Sequence, residues 1–181
     1  MDKQLDFYEV SVDYISYLHK FDSKVPLVDY SKTSKHDKFM CGIVLSVNEH
    51  DYFAPISSFA VQQRTNIVIK NEKNNPISSI RFSFMIPVPS GVATVKRIRS
   101  EPSPEYRRLL DLELRFCRKN EKSIRRMAKH IHNTVKNGKD PIMTKNCCDF
   151  SKLEAACSEY YYTVEVCVDD NDKTGKVTLD R

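Results

Sequence analysis

The stretch that most limits what this chain can become is Phe39-Met40-Cys41-Gly42-Ile43-Val44-Leu45-Ser46-Val47, then Asn48-Glu49-His50-Asp51, then Tyr52-Phe53-Ala54-Pro55-Ile56-Ser57-Ser58. Two β-rich runs on either side of a short polar stretch predict an antiparallel hairpin with a four-residue turn at 48–51. The first run is almost wholly apolar, the pattern of a strand covered on both faces. The second ends in two hydroxyl side chains, which a strand end can deliver to the mouth of a cleft. Gly42 inside a strand pattern points to a bulge or to close approach by another backbone.

The flanking segments supply strands and helices in mixed order. Phe7 to Val10 predicts a short strand, and Ser11 an N-cap for a helix with Val12, Ile15, Leu18 and Phe21 on one face, flanked by Tyr14 and Tyr17. Residues 22–37 read as a loop carrying Lys24, Lys32, Lys35 and His36, with Lys38 just beyond it. Strands are predicted at Asn66–Lys70 and at Ser79–Met85, the latter with Ile80, Phe82 and Phe84 on one face, separated by turn residues 71–76. That strand continues through Val88, and Pro87 marks a sheet edge. Residues 91–98 predict one more short strand.

Ser103-Pro104-Glu105 is a strong helix start, with an N-cap, a proline at the first helical position and an acid in the first turn. Leu109, Leu112 and Phe116 are expected to face inward. Asn120 breaks this helix and caps a second, which groups Ile124, Met127, Ile131 and Val135 until Gly138 and Pro141 stop it. A short helix over 150–159, a strand over 160–168, a turn over 169–176 and a weak partner strand at 177–179 complete the chain. No internal repeat or low-complexity linker divides it, so residues 1–181 are expected to form one α+β domain.

Bulk properties narrow the function classes. With 181 residues, 40% hydrophobic and 29% charged, the composition is that of a soluble globular chain. No apolar run approaches the roughly 20 residues of a membrane helix. The first residues lack a basic segment followed by an apolar one, so a cytoplasmic protein is expected. Six cysteines include the adjacent Cys147 and Cys148 and no Cys-x-x-Cys, which favours reduced structural thiols over disulfides or zinc. His130 and His132, two apart on a helix, do not face each other, so they make no metal pair. The net charge of +5 is uneven, with eleven Lys or Arg against four acids between residues 105 and 139 and an acidic patch at 169–172. That asymmetry points to a nucleic acid on one face, set against the plainer reading of a solvated amphipathic helix.

At Phe7-Tyr8, Tyr14-Ile15, Tyr17-Leu18, Phe21-Asp22 and Lys24-Val25-Pro26, then Gly42-Ile43-Val44-Leu45 and Tyr52 to Ser58, the chain resembles the ToxN/AbiQ family. Phe84-Met85-Ile86-Pro87, the helix from Pro104 to Phe116, and Cys148-Asp149-Phe150-Ser151 with Leu153-Glu154 add to the match, which spans about 7–160. These are endoribonuclease toxins of type III toxin–antitoxin systems, which act in abortive infection and phage defence. The resemblance implies a compact antiparallel β-barrel-like core, related to the Kid/MazF toxin fold and surrounded by helices. Residues 160–181 form an extension without a counterpart.

It also implies sequence-selective RNA cleavage with no cofactor or metal, leaving a 2′,3′-cyclic phosphate. The implied partners are cellular or phage RNA and a repeat antitoxin RNA, cut into pseudoknotted units that inhibit the toxin in an RNA-bridged assembly. Family active-site positions fall on Tyr14, Lys38, Ser57 and Ser58. One departs, because the lysine that some members carry two residues after the hydroxyl pair is Ala60 here. Gln62 and Arg64 are the candidates to replace its phosphate contact.

These residue types suit the chemistry. When a 2′-hydroxyl attacks the adjacent phosphate, a lysine can stabilise the extra negative charge, more strongly as water is excluded. Lys38 is expected in that role. Ser57 and Ser58 can donate to non-bridging oxygens. Tyr14 is expected to position the 2′-hydroxyl or protonate the leaving oxygen, although an unperturbed phenol near 10 needs a shifted pKa to contribute strongly. Arg97, Arg99, Arg107, Arg108, Arg118, Lys119, Lys122, Arg125 and Arg126, with Lys32 and Lys35, are candidates for salt-dependent RNA contacts. Tyr30, Phe39 and Phe59 are candidates for stacking on unpaired bases. The competing readings are a non-catalytic RNA-binding module on the same basic face and, with less support, a DNA-binding helical regulator over 103–138.

Overall fold

The computed structural model describes residues 5–27 and 39–160. The hairpin forms as β2 (Met40–Val47) and β3 (His50–Ser57), but its turn is tighter than expected. His50 pairs with Val47, leaving two turn residues, Asn48 and Glu49, with φ of 48° and 66°. Positive φ at both central residues is the geometry whose twist matches the flanking strands. β2 is buried along Met40–Leu45, as its apolar run requires. At Gly42 the close approach is by a ring: an added Cβ would stand 2.7 Å from Phe53 Cε2. The register shifts between Cys41 and Leu45 around this point.

Among the described residues, β1 (Asp6–Val10), β4 (Asn66–Lys70), β5 (Pro76–Arg81), β6 (Ile86–Pro87) and β7 (Ala93–Val95) complete a seven-stranded sheet. Its order is β4-β5-β3-β2-β1-β7, with β6 pairing β3 off this path, and every ladder is antiparallel. β3 is the pivot. Its first residues pair with β2 and β6, whereas Ile56 and Ser57 pair with Ile80 and Ser79 of β5. The sheet therefore wraps in a barrel-like manner around a common core without closing, since β4 and β7 stand at its two ends. The fold is α+β.

The helices are α1 (Val12–Phe21), α2 (Pro104–Lys119), α3 (Glu121–Lys136), α4 (Pro141–Asn146) and α5 over 150–160. Ser103 caps α2 by accepting from Tyr106 N at 3.2 Å, an interaction typically worth about 1 kcal/mol. Asn120 leads α3 without a side-chain cap and instead donates from Nδ2 to Phe116 O. Gly138 takes φ of 60°, ending α3, but Pro141 then opens α4 behind the N-cap Asp140. Among the described residues, no helix is long and apolar enough to cross a membrane.

Several predicted faces are rotated. α1 buries Tyr14, Ile15 and Leu18, while Val12 and Phe21 at the ends of the expected stripe are exposed. α2 buries Leu110, Glu113, Leu114 and Cys117, with Leu109, Leu112 and Phe116 only half-buried. The shift of about one residue exchanges one helix flank for the next, because each residue advances roughly 100°. α3 buries Ala128 and His132 beside Ile124, Ile131 and Val135, with Met127 half-buried. β5 ends at Arg81, and Phe82–Phe84 form one 3-10 turn, so Phe84 no longer shares a strand face with Ile80. Tyr160 ends α5 rather than beginning a strand; the remaining elements expected over 161–181 lie outside the described residues. The five described cysteines are buried and free.

Candidate active site

Where β3 leaves β2 for β5, a cleft of about 350 Å³ opens. Ser57 and Ser58 stand at its wall, facing Tyr106, Leu109 and Glu113 of α2, with Arg81 and Phe84 closing the side. The placement follows from the ladder. β2 begins at Met40, paired with Pro55, so the last residues of β3 extend past it and present their hydroxyls to open space. Ser57 Oγ accepts from Phe59 N at 3.2 Å, and Ser58 is exposed at the mouth.

Lys38, Lys32, Lys35, His36 and Tyr30 lie outside the described residues; Phe39, next in sequence to Lys38, lines the cleft. Tyr14 does not. It is fully buried between Tyr17 and Tyr160, and its hydroxyl donates to Pro87 O at 2.7 Å. Burial, with the neighbouring Cys157, raises its pKa, the direction opposite to that needed for proton transfer near neutrality. The structure thus places Tyr14 in the core, apart from the cleft that Ser57 and Ser58 line.

Neither stand-in for the absent lysine reaches this cleft. Gln62 Nε2 donates to Gln63 O and to Asn66, and Arg64 pairs with Asp140 at 2.7 Å beside a second cavity of about 470 Å³. Arg81, which pattern reading passed over, lines both cavities. The available signal was its position between Ile80 and Phe82, since alternation turns it to the opposite face.

Glu113 is the other group the sequence did not mark. It is 3% exposed, and burial raises its carboxyl to about 7; Ser78 beside it offsets this slightly, though its Oγ closes no hydrogen bond of ordinary geometry. A carboxyl titrating near neutrality is suited to general acid–base work.

The basic residues divide into two sets. Arg107 donates to Glu101 O, Arg118 to Leu5 O and Asp6, and Arg125 to Ile43 O and Glu121, while Lys24 donates to Cys147 O. These cations are engaged in tying elements together. Arg97, Arg99, Arg108, Lys119, Lys122 and Arg126 are exposed.

This sequence and fold match known proteins. The family model described as Toxin ToxN, type III toxin–antitoxin system, matches residues 6–158. A protein of Bacillus thuringiensis subsp. kurstaki named Endoribonuclease ToxN is 30% identical over 166 residues, 85% of this chain and 83% of that one. Another of the same name from Pectobacterium atrosepticum is 31% identical over 159 residues, covering 83% and 90%. A solved structure from work on selective toxin inhibition by a non-coding RNA pseudoknot superposes with a TM-score of 0.78 at 27% identity, covering 88% of this chain and 99% of that one. By its match over most of its length, the chain belongs to the ToxN family of type III toxin–antitoxin toxins.

Proposed function

We propose that this protein is an endoribonuclease toxin and that the cleft below Ser57 and Ser58 is its cleavage centre. The observation that carries the reading is the divergence of β3 from β2, which delivers a hydroxyl pair into a cavity that also holds a carboxyl titrating near 7. The relatives' shared name supplies the reaction class.

In the proposed reaction the RNA 2′-oxygen attacks the adjacent phosphorus and the bond from phosphorus to the 5′-oxygen breaks. The products are a 2′,3′-cyclic phosphate and a 5′-hydroxyl, and no metal is required. Ser57 and Ser58 donate to the non-bridging oxygens, and Lys38 offsets the charge that builds on them. Glu113 takes over the proton-transfer task first expected of Tyr14, as the cleft group with a suitable titration range. Tyr14 supports the core beneath.

The proposed partners are cellular or phage RNA as substrate and a repeat antitoxin RNA as both substrate and inhibitor. The exposed cations on and before α2 and α3 hold the larger RNA surface. The assay is cleavage of bacterial RNA by the full chain with chelator present, with the 5′-hydroxyl ends mapped. Wild-type cleavage abolished by Ser57→Ala, with RNA affinity retained, supports the enzyme. Binding without any cleavage favours the non-catalytic RNA-binding module.

A further inference from the structure

The guanidinium of Arg81 lies between two aromatic rings, 5.1 Å from the centroid of Phe59 and 4.8 Å from that of Phe84. No hydrogen bond or ion pair engages it among the described residues, and its Nε is buried without a partner. That is unusual for an arginine whose planar fork ordinarily finds a carboxylate or carbonyl. Burial lowers its pKa, and no neighbouring carboxylate offsets the effect.

The clamp is built firmly. Asn66, fully buried, donates from Nδ2 to Val61 O and accepts from Gln63 N, and Ser79 Oγ donates to Phe59 O at 2.6 Å. These bonds hold the 59–63 segment so that Phe59 stays over the guanidinium. Phe84 is fixed from the other side by the 3-10 turn that ends β5. Arg81 thus stands on the wall between the Ser57–Ser58 cleft and the second cavity, where exposed Ile142 and Arg64 lie.

We infer that Arg81 binds the RNA phosphate joining the nucleotide in the Ser57–Ser58 cleft to its neighbour in the second cavity. Nε is enclosed, so the terminal N–H groups, which also lack a partner among the described residues, are the ones left open to a ligand. An anion with several acceptor oxygens completes the missing hydrogen bonds, and a phosphodiester is the anion that a strand crossing this wall carries. Arg81 is a binding residue one nucleotide from the chemistry and takes no part in it. The inference rests on the nuclease reading above.

The test uses the full chain and the shortest oligoribonucleotide that it cuts, with the attacking 2′-hydroxyl removed so that it binds without being cleaved. Each phosphate in turn is replaced by a neutral methylphosphonate. In the wild type, neutralising the phosphate next to the scissile one is expected to weaken binding about tenfold, the scale of one charge-assisted hydrogen bond. In Arg81→Met, which keeps the apolar stem between the rings, that penalty disappears while penalties at other phosphates remain. The slope of log affinity against log salt also falls by about one. Arg81→Lys restores the salt slope.

A methylphosphonate penalty at that phosphate that persists unchanged in folded Arg81→Met overturns the assignment and leaves Arg81 a packing residue. If Arg81→Met does not fold, Arg81→Gln decides: loss of the penalty at that phosphate supports the contact, and an unchanged penalty overturns it. Failure of the wild type to cut any RNA instead overturns the nuclease reading, and this inference with it.

Discussion

The hydroxyl of Tyr14 donates to the main-chain oxygen of Pro87 across 2.7 Å, joining α1 to the two-residue strand β6 that pairs with β3. A phenol placed this way works as a tie. Removing it in Tyr14→Phe leaves a buried carbonyl unsatisfied and is expected to cost about 1–3 kcal/mol, measured by urea unfolding. RNA cleavage by the folded variant should stay within a few-fold of wild type. A hundredfold loss of cleavage at unchanged stability would return Tyr14 to the chemistry.

Ser57→Ala and Ser58→Ala remove donors from the proposed transition-state contacts. Loss of one such donor commonly lowers kcat by about a hundredfold or more. Single-turnover cleavage of a mapped RNA should show that fall for at least one of the pair, with unchanged binding of its 2′-deoxy analogue. Equal losses in cleavage and binding would place these hydroxyls in ground-state recognition only.

Glu113 gives stability a pH slope of known sign. Its carboxyl titrates at about 7 when folded, against the usual 4.5. Between these values the folded state keeps a proton that the unfolded chain releases, so stability falls as pH rises from 4.5 to 7, by about 3 kcal/mol at most. Glu113→Gln should remove most of that fall and melt at a higher temperature than wild type at pH 8. In cleavage assays the same variant should lose the fall in rate that accompanies deprotonation of this acid near 7.

Glu154 supplies the opposite slope at lower pH. Burial alone would push its carboxyl up, but hydrogen bonds from Lys136, His132 and Tyr52 outweigh it and leave the pKa below the usual value. A depressed acid stabilises the fold above the unfolded pKa, and the contribution is lost as pH falls below about 4.5. Glu154→Gln leaves three donors poorly matched and should cost about 3 kcal/mol or more near pH 7 by denaturant melts.

Gly42→Ala would press a methyl into the ring of Phe53. Overpacking of this kind costs about 1–3 kcal/mol. Phe53→Leu in the same chain should recover part of the loss, which thermal melts of the single and double variants would show.

Much of the fold was legible in the sequence, for identifiable reasons. The β2–β3 hairpin, the Ser103 cap and the Gly138 stop depend on residues within a few positions, where local chemistry decides. The helix faces of α1 and α2 were misjudged because spacings of three and four leave two adjacent flanks to choose between. Packing against the sheet selected Tyr14 and Leu110 over Phe21 and Leu109. For the site, the hydroxyl pair could be placed from its strand end. Arg81 and Glu113 were invisible because their environment comes from β5, α2 and the 59–65 segment meeting in space.

Arg107, Arg118 and Arg125 each donate to a main-chain carbonyl. Cations anchored in this way displace few ions from a polyanion, so an ionic-strength titration of RNA binding should report a shallower dependence than eleven positive charges between 105 and 139 suggest. Neutralising one of these three would show first as a loosened junction between elements, and only secondarily as weaker attraction to RNA.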